Sequence, residues 1–333
     1  MSYEAQREII AQKVGDFSGN AFEALALEVF RFQASHNELY ARFLSLLKVD
    51  AQRVSAMEDI PCLPIGFFKN HAVKTGNWQE EAIFTSSGTT GSEVSRHYVR
   101  DLDFFKKNTV KGFARFYGNP AEWCVLALLP AYLERPGSSL VCMAEHFIRL
   151  SECPRSGFFL KNTGELLHLL EQRESPQQKT LLLGVSFALL DLAESSPLDL
   201  HHVTVMETGG MKGRRREMTR EELHEALGNA FHLPAVHAEY GMTELFSQAY
   251  SQGGGMFLPA PTLKVFAREI TDPLTLQSPG KTGALNIIDL ANFDTCSFIA
   301  TDDLGRVHTN GSFEVLGRLD NSDIRGCNLM VNG

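Results

Sequence analysis

The sequence predicts an α/β protein with a helical N-terminal region, and three observations carry that prediction. Short apolar runs rich in β-formers alternate with amphipathic stretches through most of the 333 residues. Three of these runs, "WCVLALL" from Trp123, "TLLLGV" from Thr180 and "VTVM" from Val203, are apolar on both faces, as strands are in a sheet covered by helices. The opening residues instead carry helical periodicity, with Phe22, Leu25, Ala26 and Val29 on one stripe of "NAFEALALEVFRFQ" and the pattern repeated in "NELYARFLSLLK" from Asn37.

The elements follow in order. Pro61 and Pro64 end the helical region, which we bound at residues 1–60. A core runs over 61–318, and a tail over 319–333. "GELLHLLEQ" from Gly164 and "MTREELHEALGNAF" from Met218 are helices between strands, the second opened by a capping box with Thr219 as N-cap and Glu222 three positions on. "ALNII" from Ala284 is a further strand. There is no internal repeat and no low-complexity segment.

Composition removes several classes of function. Hydrophobic residues at 44% and charged residues at 21% fit a packed globular chain rather than a disordered one. A net charge of -9 argues against nucleic acid, which needs surplus basic charge; the basic run Arg214–Arg216 is short, balanced by Glu217, Glu221 and Glu222, and reads as a solvated helix entry or as a cluster that neutralises phosphates. "MSYEAQREII" has no basic start and apolar block, so no signal peptide is expected, and no apolar run reaches the ~18 residues of a membrane span. Cys62, Cys124, Cys142, Cys153, Cys296 and Cys327 form no CxxC pair and no zinc or disulfide spacing, as expected of reduced thiols in a cytoplasmic enzyme.

The most unusual stretch is "FTSSGTTGSEVSRHY" from Phe84. Ser86 to Gly91 hold four hydroxyl residues and two glycines. Glycines let backbone N–H groups approach an anion, and hydroxyls add donors, so the run can cradle phosphates or be a plain polar loop. It is not the common phosphate loop, because no Lys-Ser or Lys-Thr follows the second glycine. It also leads into an extended segment, "SRHYV", with a helix beginning only near "DLDFFKK".

Further motifs follow in order: "TGGMKG" from Thr208, "EYGMTE" from Glu239, "GKTGAL" from Gly280, "ATDDLG" from Ala300 and "GRLDNSDIRG" from Gly317. With "TSSGTTGS" they resemble the adenylate-forming superfamily of acyl and aryl ligases. "GKTGAL" departs from its pattern by lacking both acids, and Asp302 replaces a glycine in "ATDDLG". Within the superfamily, "SSGTTGSEVSRHYV", "LLPAYLERPGSSLVCM", "ETGGMKGRRREMTREEL" and "RGCNLMVNG" resemble the LuxE-type acyl-protein synthetases, with phenylacetate–CoA ligases next nearest. The likeness runs from about Pro61 onward.

The resemblance implies the large N-terminal domain of that superfamily, without its mobile C-terminal domain and the catalytic lysine carried there. It implies ATP-dependent activation of a fatty or related carboxylic acid to an acyl-adenylate, then transfer to a thiol. Ser86, Ser87, Gly88, Thr89, Thr90 and Gly91 would embrace the β- and γ-phosphates, with Arg96 or nothing in place of the loop's usual trailing lysine. Gly209 and Gly210 would turn against the adenine, Tyr240 with Gly241 would stack on it, and Thr243 would reach the α-phosphate. Glu244 would hold Mg²⁺, which seeks carboxylate and phosphate oxygens together. Asp303 and Arg318 would take the ribose hydroxyls. His237, three residues before Tyr240, lines the nucleotide or acyl pocket or is a core histidine. "FLPAPTLKVF" from Phe257 and "LLPAYL" from Leu128 line the acyl pocket or belong to the core.

The LuxE likeness also implies acyl transfer to a cysteine near the C-terminus, where Cys327 stands in "DIRGCNLMV". Arg325, two residues earlier, shares its face in an extended segment and would favour the thiolate. The family implies a protein partner resembling an acyl-CoA reductase. The alternatives are an aryl- or acyl-CoA ligase, and a nucleotide-binding subunit without catalysis.

Overall fold

The computed structural model describes residues 1–86, 94–130, 137–160, 163–171, 178–196, 198–209 and 218–319. The helical start comprises α1 (Tyr3–Gly15), α2 (Phe22–His36) and α3 (Glu38–Leu46). There follow β1 (Leu63–Pro64), α4 (Phe67–Asn70), β2 (Ala82–Thr85), β3 (Arg96–Val99) and α5 (Leu102–Tyr117). The middle of the chain alternates: β4 (Trp123–Leu128), α6 (Ser139–Leu150), β5 (Gly157–Phe158), α7 (Thr163–Glu171), β6 (Lys179–Val185), α8 (Ser186–Ser195), β7 (Val203–Thr208), α9 (Arg220–Phe231) and β8 (His237–Tyr240). Strands finish it: β9 (Ala249–Ser251), β10 (Leu258–Pro259), β11 (Leu263–Arg268), β12 (Thr282–Asp289), β13 (Phe298–Val307) and β14 (Phe313–Arg318).

The α/β expectation is met, element by element. The three doubly apolar runs are β4, β6 and β7, neighbours in a sheet of order β10-β9-β8-β7-β6-β4-β5. From β5 to β8 the strands are parallel, and β9 and β10 turn antiparallel. Every residue of β4 is buried. Phe113 of α5 and Phe147 of α6 pack 4.9 Å apart on one face. Ser186 of α8 and Arg220 of α9 both bond Glu207 on the other. The capping box at α9 forms as expected, with Thr219 Oγ accepting from the Glu222 N–H and the Glu222 carboxylate from the Thr219 N–H.

A second sheet runs β1-β13-β12-β11, with β14 also paired to β13. The N-terminal helices pack on it. Phe30 and Tyr40 both meet Phe298, at 5.7 and 6.0 Å between centroids, and full burial of Phe30 alone is worth about 2 kcal/mol. The buried Gln33 amide donates to the carbonyls of Asn292, Phe293 and Thr295, and Arg7 grips Asp294 at 2.7 Å. β2 and β3 form a hairpin of their own. The extended segment expected after the Ser/Thr/Gly run is β3, and the helix expected near "DLDFFKK" is α5, capped by Asp101.

Candidate functional site

In a parallel sheet, ligands bind beyond the carboxyl ends of the strands, where helices and loops diverge. Here that edge is formed by Val185, Thr208 and Tyr240, the last residues of β6, β7 and β8. The β13–β14 hairpin closes against it. The Tyr240 hydroxyl donates to Asp303 Oδ2 at 2.8 Å, and Arg318 Nε donates to Asp303 Oδ1 at 3.2 Å. Asp303 and Arg318 are register partners across β13 and β14. Tyr240 and Arg318, from two other motifs, thus share the Asp303 carboxylate. Burial and the Asp303 charge push the Tyr240 hydroxyl well above its ordinary pKa, so it remains a donor. Its ring meets Phe257 and Phe313 at 5.8 and 5.4 Å, tilted and edge-on rather than stacked.

Glu244 lies in the same neighbourhood, buried beside Ser95. Burial raises its carboxyl pKa; the Ser95 hydroxyl bonds it and the Arg318 charge draws it back down. Ser95 is also one anchor of the Ser/Thr/Gly run. Its N–H donates to Ser86 Oγ at 2.9 Å and its carbonyl accepts from the Ser86 N–H at 3.1 Å. The base of that run is therefore fixed next to Glu244. Arg96, the first residue of β3, is exposed.

The segment from Thr243 to Ser247 is held by residues that no sequence motif marked. Asp289, fully buried at the end of β12, accepts from the N–H groups of Phe246 and Ser247 at 2.8 and 2.9 Å and from the Ser247 hydroxyl at 2.6 Å. Asn292 donates to the Glu244 carbonyl at 2.7 Å, and Asn108 of α5 donates to the Phe246 carbonyl. His97 of β3 bonds the Thr243 carbonyl through Nδ1 at 2.8 Å. A carbonyl only accepts, so Nδ1 carries the proton and Nε2 accepts from Thr295 Oγ1 at 3.0 Å. Complete burial lowers the His97 pKa to about 4, keeping the ring neutral. The only local signal for any of these was a polar residue interrupting an apolar run.

The opposite face of β8 is polar as well. Thr208 donates to Glu239, its register partner, and burial raises the Glu239 carboxyl to about 7 against that bond. Gly241 lies beside it, and a Cβ there would push on Glu239 Oε1. On the α8–α9 face, Glu207 is held by Ser186 and Arg220, with His224 Nε2 3.6 Å away.

The structure thus brings together Tyr240, Glu244, Asp303 and Arg318, with Ser86 tied in through Ser95. Thr243, partly buried, adjoins Glu244. Gly209, at the end of β7 with φ of 74°, takes the left-handed conformation that favours glycine. His237 is not in this cluster. It opens β8 on the face of Glu239, and its Nδ1 bonds the Tyr117 hydroxyl at 3.0 Å. Phe257 is a fully buried core residue. Ser87, Gly88, Thr89, Thr90, Gly91, Gly210 and Cys327 lie outside the described residues.

The donor set suits a nucleotide. Asp303 keeps acceptor capacity after its two bonds, since a carboxylate offers about four lone-pair sites. No group of three or more His, Cys, Asp or Glu side chains that could cage a metal occurs among the described residues. One buried carboxylate at Glu244 instead fits a Mg²⁺ ion that takes its other oxygens from phosphate and water. No described helix is long and apolar enough to cross a membrane.

Solved structures show the same arrangement of elements. 2-Hydroxyisobutyryl-CoA ligase in the postadenylation state with 2-HIB-AMP superposes with a TM-score of 0.65 at 11% identity, over 92% of this chain and 70% of that one. The same ligase with 2-HIB-AMP and CoA gives 0.62 at 13%, over 96% and 70%. ATP-bound MatB from Rhodopseudomonas palustris gives 0.53 at 16%, over 74% and 49%. The fold is that of these adenylate-forming ligases. The chain spans about half the length of MatB. No family profile and no curated protein matches the sequence.

Proposed function

We propose that this chain activates a carboxylic acid with ATP. A carboxylate oxygen of the acid attacks the α-phosphorus, the bond to the β-phosphate breaks, and acyl-adenylate and pyrophosphate result. The observation that carries this reading is the meeting of Tyr240, Glu244, Asp303 and Arg318 at the carboxyl edge of the parallel sheet. Asp303 and Arg318 take the ribose hydroxyls, and Tyr240 both steadies Asp303 and borders the adenine. Thr243 reaches the α-phosphate. The run Ser86–Gly91 wraps the β- and γ-phosphates, its base anchored by Ser95. Glu244 holds the Mg²⁺ that neutralises phosphate charge.

The second half-reaction rests on the sequence motifs. In the acyl-protein synthetase reading, the Cys327 thiolate attacks the acyl carbonyl of a fatty or related acid, AMP leaves, and the thioester passes to a reductase-like partner. In the second reading coenzyme A is the acceptor, which the CoA-bound ligase of the same fold favours.

Exchange of labelled pyrophosphate into ATP, across a panel of carboxylic acids, tests the first step. Acid-dependent exchange is expected, lowered about a hundredfold or more in Glu244→Gln. No exchange with any acid refutes the activity. Mass mapping after incubation with ATP and acid then separates the acceptors: an acyl adduct on Cys327 supports the synthetase, and turnover only with coenzyme A supports the ligase.

A further inference from the structure

The face of the seven-stranded sheet beneath α5 holds polar groups with no partner. Tyr250 of β9 is 1% exposed, and its hydroxyl makes no hydrogen bond among the described residues. Gln248 is 5% exposed; its Nε2 donates to the Phe246 carbonyl, which fixes the amide's orientation and leaves Oε1 as a buried acceptor without a donor among the described residues. Buried polar atoms are nearly always paired, so two orphans of complementary sense two residues apart on one stretch call for an explanation.

They stand in one row with known company. Thr208, Glu239 and Tyr250 are successive register partners across β7, β8 and β9, so their side chains share a face. The ring of Tyr250 rests on Phe113, Phe116 and Tyr117 of α5. Gln248 and Glu239 both border Gly241, the glycine between Tyr240 and the Thr243–Glu244 pair. The row therefore lies directly under the segment where the adenylate would form, on the face away from Tyr240 and Asp303. Gly112 of α5 lies over Ala260 and Gln248 Oε1, 3.3 and 3.9 Å from where its Cβ would be.

Resting on the acid-activation reading above, the geometry points to an acid that carries a hydroxyl group on its acyl chain. That hydroxyl accepts from the Tyr250 O–H and donates to Gln248 Oε1, with the Glu239 carboxyl as a neighbouring acceptor. Tyr250 and Gln248 are then specificity residues. An unsubstituted alkyl chain would leave both orphans without a partner and forgo the two hydrogen bonds.

The test compares pairs of acids matched in carbon skeleton, with and without a hydroxyl, in the pyrophosphate exchange assay. The wild type is expected to favour hydroxylated members by about 10- to 100-fold in kcat/KM. Tyr250→Phe deletes only the orphan oxygen, so its melting temperature should equal or exceed that of the wild type. It should erase most of the preference while leaving the KM for ATP unchanged. Gln248→Met is the second variant, with the same expected loss of discrimination. If the hydroxyls only bind a buried water, both variants keep the wild-type acid ranking, and the inference falls. A wild type that prefers the unsubstituted acids overturns the inference and leaves acid activation standing. Absence of exchange with every acid overturns both.

Discussion

Replacing Glu239 by Gln should stabilise the protein, and by an amount that grows with pH. Glu239 is completely buried, and its carboxyl is raised from an ordinary 4.5 to about 7 by burial, with the Glu207 charge adding to the shift. Below pH 4.5 the carboxyl is neutral in both the folded and unfolded chain and costs nothing through ionisation. Between 4.5 and 7 the unfolded chain ionises while the folded one holds its proton, so stability is lost as pH rises. The loss levels off above 7. A shift of this size corresponds to about 3 kcal/mol between pH 4.5 and 8, at about 1.4 kcal/mol per pH unit of displacement. Gln keeps the acceptor for the Thr208 hydroxyl and cannot ionise. For a chain of this length the unfolding entropy is on the order of 0.7 kcal/mol/K, so the variant should melt about 4 °C above the wild type at pH 8 and nearly level with it at pH 4.5. Calorimetry of both proteins across that range, without substrate, is the assay. A difference in melting temperature that stays flat from pH 4.5 to 8 would refute the reasoning, because Glu239 would then not be a carboxyl held neutral by burial.

Three further outcomes are expected. His97 should remain neutral at pH 5 in NMR spectra of labelled histidine while exposed histidines are protonated; its pKa near 4 means stability is lost as pH falls from 6.5 toward 4, about 3 kcal/mol in all, opposite in sign to the Glu239 effect. Asp289→Ala strands the buried N–H groups of Ser247 and Ala291 and leaves Phe246 N–H with Asn292 and the Ser247 hydroxyl with Thr262 alone, so denaturant unfolding should show a loss of about 3 kcal/mol or more, with acid-dependent exchange lost as the Glu244 segment loosens. Asp303→Ala removes the shared partner of Tyr240 and Arg318, and calorimetric titration should show ATP binding weakened by about tenfold or more, with melting little changed beyond about 2 °C.

Much of this was legible in the chain alone. Doubly apolar runs became the parallel strands because a strand covered on both faces has nowhere to place a polar residue, and Thr219 with Glu222 announced the start of α9 because a helix must satisfy its first N–H groups locally. Motif order also proposed Tyr240, Glu244, Asp303 and Arg318 as one group although they are spread over nearly eighty positions. What the sequence left open was anything resting on contact between distant segments. Nothing local distinguishes Asp289 from any acid ending a strand, or His97 from a surface histidine; their roles come from the backbone groups that other segments deliver to them. His237 illustrates the same limit. Its place three residues before Tyr240 left pocket and core both open, and only the strand shows that it faces the Glu239 side, because side chains an odd number of positions apart in a strand point to opposite faces. Composition and periodicity therefore determined the fold class, and the order of the motifs supplied the candidate residues. Only the tertiary structure decided which of them share a carboxylate, which hold the Thr243–Ser247 segment, and which polar atoms are buried without partners, because pairing and desolvation are properties of the assembled sheets.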